Sequence, residues 1–354
     1  MAETIEERTD ARAQPVETYA ESLWQAVIEA DEHEATDVVM AALDAGVDPE
    51  AILLDIVGAT QRRVGMEWAA NRISVAQEHA ATAINERVIV HLSGRLPRQQ
   101  PTRARVAVAC VDGEWHALPA RLLAEVLTLR GFRVDYLGAQ VPTPHLITHL
   151  HRTSPDVVAL SGSIPTRLPV AHATITACQS AGVPVIVGGS AFGVGGRWAT
   201  LLGADAWAPD AAAAVERLSR PLPRPQAPHQ PIDDLPHLAD QEYTMVARSA
   251  PRLVRAVMTG LEERLPMMRD YSDLQRQHTA EDVAQIVDFL AAALYVGDAA
   301  LFCDFLAWTA EVLEARAVPA RSLVPAVELL RDELRDFERA VAMLDQAWGL
   351  LQPR

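Results

Sequence analysis

Cysteine is scarce, with three among 354 residues. Cys110, Cys178 and Cys303 stand in no paired or metal-type spacing, which excludes a disulfide framework or a thiolate zinc site and fits a reducing compartment. Basic runs are absent as well, and the formal net charge is -16. Phosphate neutralisation needs clustered Lys and Arg, so a direct nucleic-acid surface is excluded. No apolar stretch approaches the ~20 residues that span a bilayer. The first residues are acidic and polar, unlike a signal peptide. The expectation is a cytoplasmic protein without membrane or direct nucleic-acid contact. Internal repeats are also lacking, and a length prior of ~150 residues per domain predicts two or three domains.

What is present divides the chain. Residues 1–16 are expected to be disordered. Over 17–96 the apolar residues recur at helical spacing, as in Leu23, Val27, Ala30 and Val38, Val39, Ala42, and predict a four-helix bundle with helices at 17–31, 33–45, 49–70 and 74–94. Asp48 caps and Pro49 takes a first helical position, and Ser74 caps the last helix. Pro97-Arg98-Gln99-Gln100-Pro101 reads as a linker. Over 104–220 short apolar, β-branched runs at 105–110, 134–137, 157–160, 184–187 and near 204–207 alternate with helical windows. That alternation predicts a parallel sheet covered by helices on both faces, in the flavodoxin-like order 2-1-3-4-5. Residues 221–238 form a stiff connector, with six prolines in 221–236. From 239 to 354 the chain is again all-helical, with windows at 241–264, 266–277, 279–296, 298–316 and 320–350.

One histidine stands where a strand hands over to a helix. His116, in Gly113-Glu114-Trp115-His116, follows the run Val106 to Cys110, and loops at the carboxyl ends of parallel strands are where ligands bind. Glu114 is the kind of carboxylate that fixes the tautomer of a ligating imidazole. Ser161-Gly162-Ser163 ends the third strand and Gly188-Gly189 the fourth, so a hydroxyl pair and a floor without side chains line the same edge. The plain alternative is a histidine that caps a strand end. In the bundle, nine residues separate Trp68 from Glu78-His79, which places an acid and an imidazole opposite the Trp across a short turn; ordinary core packing is the alternative for Trp68.

The loop Glu114-Trp115-His116-Ala117-Leu118-Pro119 resembles the acidic-x-His-x-x-Gly loop of cobalamin-binding corrinoid domains, with Pro119 at the Gly position. Ser161-Gly162-Ser163 stands where that family has Ser-x-Leu, and Tyr136-Leu137-Gly138 with Pro142 is similar to its second βα unit. The resemblance implies a cobalt below which His116 is the ligand and a tail cradled by Ser161, Ser163, Gly188 and Gly189. Trp68 with Glu78 and His79 resembles the upper cap of adenosylcobalamin-dependent photoreceptors of carotenoid synthesis. In those receptors a His follows the Trp, whereas Ala69 stands here.

The segments Ala280 to Leu294, Gly297 to Phe302 and Trp308 to Pro319 resemble globin-like sensor domains. A cobalamin domain followed by such a domain is the arrangement of photocobilins, whose second domain binds a linear tetrapyrrole. Biliverdin is therefore the implied second chromophore. Candidate contacts are Arg252, Arg255, Arg264 and Arg269 for propionates, with His278, Cys303, Tyr271 and Trp308 as pocket candidates. For these, solvated surface charge, a polar helix-start cap at His278 and plain core packing are the alternatives. The expected protein is a light sensor, not an enzyme, that holds adenosylcobalamin between bundle and α/β domain and a bilin in a C-terminal all-α globin-like domain. No DNA-binding module is expected ahead of the bundle, so output is expected to pass through a homodimer or an unidentified signalling partner. A corrinoid methyl carrier, or a cobalamin sensor whose last domain binds haem or nothing, are the alternatives.

Overall fold

The structure is a computed structural model that describes residues 5–97, 100–225 and 234–352, with side chains from Val16 onward. The bundle comprises α1 (Ile5–Ile28), α2 (Glu32–Asp44), the short α3 (Pro49–Ala51), α4 (Gly58–Ala69) and α5 (Val75–Arg95). Between α3 and α4, Ile52–Val57 widens into a π turn, so the helix expected over 49–70 is continuous in path but not in pitch. Asp48 accepts from the Ala51 N–H and Ser74 closes a capping box with Gln77. Helix α1 is described from Ile5, within the stretch 1–16 for which disorder is expected. Its first turns are polar but rich in Glu, Arg and Ala, and good helix formers can extend a helix that packing has already nucleated. The expectation for residues 1–4 falls outside the described residues.

The α/β domain runs β1 (Arg105–Cys110), α6 (Ala117–Leu129), β2 (Arg133–Gly138), α7 (Thr143–Thr153), β3 (Val157–Ser161), α8 (Leu168–Ser180), β4 (Val185–Gly188), α9 (Arg197–Leu201), β5 (Ala206–Ala208) and α10 (Ala211–Leu218). All strands are parallel in the order β2-β1-β3-β4-β5, as the crossover pattern requires. Alternate residues of each strand enter different cores. Val106, Val108, Cys110, Ala159 and Ile186 join the interior shared with the bundle, α6 and α10. Ala107, Ala109, Val158, Leu160, Val185 and Val187 join the interior shared with α7, α8 and the C-terminal helices. The period of two in a pleated strand makes this division possible.

Of the proline-rich connector, 226–233 lie outside the described residues. Its end is not a free spacer: Leu235 is fully buried and Pro236–Asp240 forms a 3₁₀ turn. The C-terminal domain follows as α11 (Glu242–Arg264), α12 (Asp273–Val296), α13 (Ala299–Ala315), α14 (Val324–Glu333) and α15 (Glu338–Leu351). The helix expected at 266–277 is instead a 3₁₀ turn, Pro266–Asp270, followed by a capping box of Ser272 with Gln275 that starts α12 at Asp273. The window 320–350 is cut in two. Buried Glu242 accepts from the N–H groups of Arg339 and Ala340 and so caps α15 from another helix. Where the domain meets α8, buried His172 bonds Tyr295 Oη through Nδ1 (2.9 Å) and Asp234 of the connector through Nε2 (3.1 Å).

Candidate functional site

The site begins at the end of β1. Gly113 has φ +78, a conformation glycine adopts without strain, and a Cβ there would stand 3.2 Å from the Arg167 guanidinium. This turn folds Glu114 under the loop, where it is buried with about 1% exposure. One carboxylate oxygen accepts from the Ser163 N–H (2.7 Å) and the Ile164 N–H (3.1 Å). The other accepts from the His116 N–H (3.0 Å) and contacts His116 Nδ1 (2.5 Å). Burial pushes the Glu114 pKa up, but the bonds from the His116 ring, the His116 N–H and the Ser163 N–H outweigh it and hold the carboxyl at about 2. The Glu114 bond raises the His116 pKa, against burial, and the charges of Glu114 and Glu78 raise it further.

Glu114 ties Nδ1, so Nε2 is the nitrogen left to ligate, on a side chain 55% exposed at the mouth of the sheet. Among the described residues no group of three or more His, Cys, Asp and Glu is set to hold a metal ion. A lone imidazole cannot retain a free cation well, but it could serve as one ligand of a metal held mainly by a macrocycle. The Glu114–His116 pair would suit such a role, and a corrin-held cobalt is among the metals it would fit.

The rest of the expected floor departs in detail. Ser161 is buried at the last position of β3, paired in register with Gly188. Ser163 contributes its backbone, donating to Glu114 while its carbonyl accepts from the Ser190 hydroxyl (2.8 Å). Gly189 has φ +97 and ψ 167, and a Cβ there would lie 2.2 Å from the Gly162 oxygen. Gly188 is nearly as confined, since its Cβ would stand 3.0 Å from the Ala208 oxygen.

Glu78 lies close enough for its charge to act on His116, so the start of α5 faces the His116 loop. Exposed His79 bonds the Val75 carbonyl (2.9 Å) and pairs with Glu78 (2.6 Å), whose other oxygen accepts from Thr82. Half-buried Trp68 closes α4 and meets the C-terminal domain: its ring lies 6.3 Å from that of Trp308, with the Arg316 guanidinium 5.2 Å over its face. Trp308, midway along α13, thus meets the bundle from the C-terminal domain. Arg316 is a residue that the sequence reading missed, since an Arg just after a helix looks like ordinary surface charge.

The seven other bilin candidates are spread along the chain from α11 to α13. Arg252 pairs with Glu333 (2.6 Å), Arg255 is exposed, Tyr271 is half-buried after the 3₁₀ turn, and His278 is exposed. His278 lies inside α12 and not at its start, because Ser272 is the cap. Arg264 pairs with Glu328 and Asp332 and borders an open cavity of about 560 Å³ with Trp348 and Arg331.

Two family models, each described as a B12 binding domain, match residues 19–93 and 104–218. The chain contains two B12 binding domains. The first is the bundle and the second the α/β unit that carries His116, and both models end before the C-terminal helices. Over 205 residues the chain is 27% identical to the trimethylamine corrinoid protein of Methanosarcina barkeri, covering 56% of this chain and 94% of that one. It is 30% identical over 187 residues to the HTH-type transcriptional repressor CarH of Myxococcus xanthus, covering 51% of this chain and 60% of the repressor. Among solved structures, the Methanosarcina barkeri monomethylamine corrinoid protein aligns with a TM-score of 0.48 at 22% identity, covering 55% of this chain and 94% of that one. The B12 binding domains bind cobalamin, and no described helix is long and apolar enough to cross a membrane.

Proposed function

We propose that the chain is a light sensor, not an enzyme, that holds adenosylcobalamin between the two B12 binding domains. The observation that carries this reading is the Glu114–His116 pair at the carboxyl edge of the sheet, with Nε2 open and the bundle's Glu78 opposite. Glu114 holds the proton on Nδ1 and so keeps the Nε2 lone pair available from below. Trp68, with Glu78 and His79 on the next helix, covers the opposite face. Gly188 and Gly189, packed closely on the Ala208 and Gly162 backbone, shape the strand ends along which a cofactor tail would lie. When bound, adenosylcobalamin supplies a photolabile cobalt–carbon bond, and loss of the adenosyl group is the signal. Output passes through a change in self-association or through a partner protein. The test is the absorption spectrum of the holoprotein before and after illumination. The cobalamin bands should change with light, and unchanged bands would refute the sensor. His116→Ala should give the base-off spectrum in the dark.

Biliverdin in the C-terminal domain is the second half of the proposal, and the globin-like resemblance of residues 280–319 is its support. Titration with biliverdin should produce a red-shifted, saturable absorption band. Uptake of haem alone, or of no pigment, would leave a cobalamin sensor with a different third domain.

A methyl-carrying corrinoid protein is the second reading, and the 27% identity to the trimethylamine corrinoid protein favours it. It requires tight methylcobalamin and weak adenosylcobalamin binding. A sensor requires the reverse preference.

A further inference from the structure

Helix α4 of the bundle and helix α13 of the C-terminal domain end against one another. The last carbonyls of any helix lack an intrahelical partner and carry the negative end of its dipole, so two such ends brought together repel. Here they share a cation. The Arg316 guanidinium donates to the Ala69 carbonyl (3.2 Å) and the Trp68 carbonyl (3.1 Å) of α4 and to the Val312 carbonyl (3.0 Å) of α13. In return the Asn71 side-chain amide, just past α4, donates to the Ala315 carbonyl of α13 (3.4 Å). Each helix is capped by a residue that follows the other. Among the described residues Arg316 has no carboxylate partner, so its charge is committed to these carbonyls and to the face of Trp68. Trp308 completes the contact from the side.

We propose that Arg316, with Trp308, is a positioning residue for Trp68, and that this reciprocal cap latches the C-terminal domain to the upper face of the cobalamin site. The inference rests on the reading that Trp68 covers that face. A ligand large enough to press on Trp68 then presses on the C-terminal domain, and movement of that domain loosens the cover. Charge, more than hydrogen-bond number, holds the latch, because without it two helix carboxyl ends face each other uncompensated.

The experiment uses full-length protein as wild type, Arg316→Gln and Arg316→Lys. Amide hydrogen exchange over residues 66–73 is followed without cofactor, and binding of adenosylcobalamin and of hydroxocobalamin is then measured. Gln keeps donors but no charge and should speed exchange about tenfold, whereas Lys should stay within about threefold of wild type. Arg316→Gln should weaken adenosylcobalamin about tenfold and leave hydroxocobalamin nearly unchanged, because only the adenosyl group reaches Trp68. Unchanged exchange in Arg316→Gln, or equal loss of both cobalamins, would overturn the latch. If wild type took up neither cobalamin while the exchange effect persisted, the interface would stand and the cofactor reading beneath the proposal would fail.

Discussion

Replacing Glu114 by Gln removes one charge and almost no volume, and the geometry dictates where the loss falls. The carboxylate accepts four contacts, two on each oxygen. A Gln has one oxygen, so one pair of donors must face an NH₂ group. If the amide nitrogen turns toward Ser163 and Ile164, two N–H groups inside a buried turn lose their acceptor, at about 1–3 kcal/mol each. If it turns toward His116, the ring must accept at Nδ1, which moves the proton to Nε2 and removes the lone pair that would meet cobalt. The wild-type pKa offers a second route to the magnitude. A fall from 4.5 to about 2 corresponds to roughly 3 kcal/mol at about 1.4 kcal/mol per unit. Because the folded pKa is depressed, this contribution is complete above 4.5 and disappears as the pH falls toward 2. Glu114→Gln should therefore lower the urea midpoint of the α/β domain at pH 7 by the equivalent of about 3 kcal/mol, or else keep the midpoint and give a base-off cobalamin spectrum with roughly 10- to 100-fold weaker binding. The gap between the two proteins should close below pH 4.5. A variant with wild-type midpoint, base-on spectrum and affinity within about twofold would refute the reasoning.

Gly189→Ala forces a side chain into a backbone region that is essentially glycine-only, at about 1–3 kcal/mol, and into the Gly162 oxygen 2.2 Å away; a loss of at least about 3 kcal/mol is expected in thermal unfolding, and a loss below about 1 would mean the turn relaxes freely. Asp135 accepts from Arg105 (2.8 and 3.0 Å) and His149 (3.1 Å). Burial raises its pKa but these partners lower it below 3.8, so its contribution is present above that value and lost as the pH falls below it. Asp135→Asn should cost about 1–3 kcal/mol at pH 7 and progressively less as the pH falls below 3.8, and a pH-independent cost in urea titrations would contradict this. Burial pushes the Cys110 and Cys178 thiols up to about 12, so iodoacetamide at pH 8 should modify half-buried Cys303 first. Mass spectrometry showing Cys110 modified at the same rate would count against the packing described around β1.

Much of the fold could be read from the chain because it rests on local periodicity. The run Val106 to Cys110 must be a buried strand, Ser74 must start a helix, and short crossovers leave few orders for five parallel strands. Glu114 and His116 were legible for the same reason, since two positions of separation in one loop fix their meeting. Contacts made by backbone groups from distant segments were not. Nothing in the sequence says that the N–H groups of Ser163 and Ile164 reach Glu114, that Glu242 caps a helix begun by Glu338, or that Arg316 lies on the end of α4. In each case an ordinary polar residue acquires its task only when two separately predictable elements are brought together.

The sheet divides the hydrophobic interior, with neighbouring residues of one strand belonging to different cores. It behaves as a bulkhead. Removing everything beyond residue 220 would strip cover from α8, where Val170 packs toward the C-terminal core, and would leave His172 without Tyr295 and Asp234. A fragment cut there would expose an adhesive apolar flank, so residues 1–220 should self-associate or lose stability when separated from the C-terminal helices.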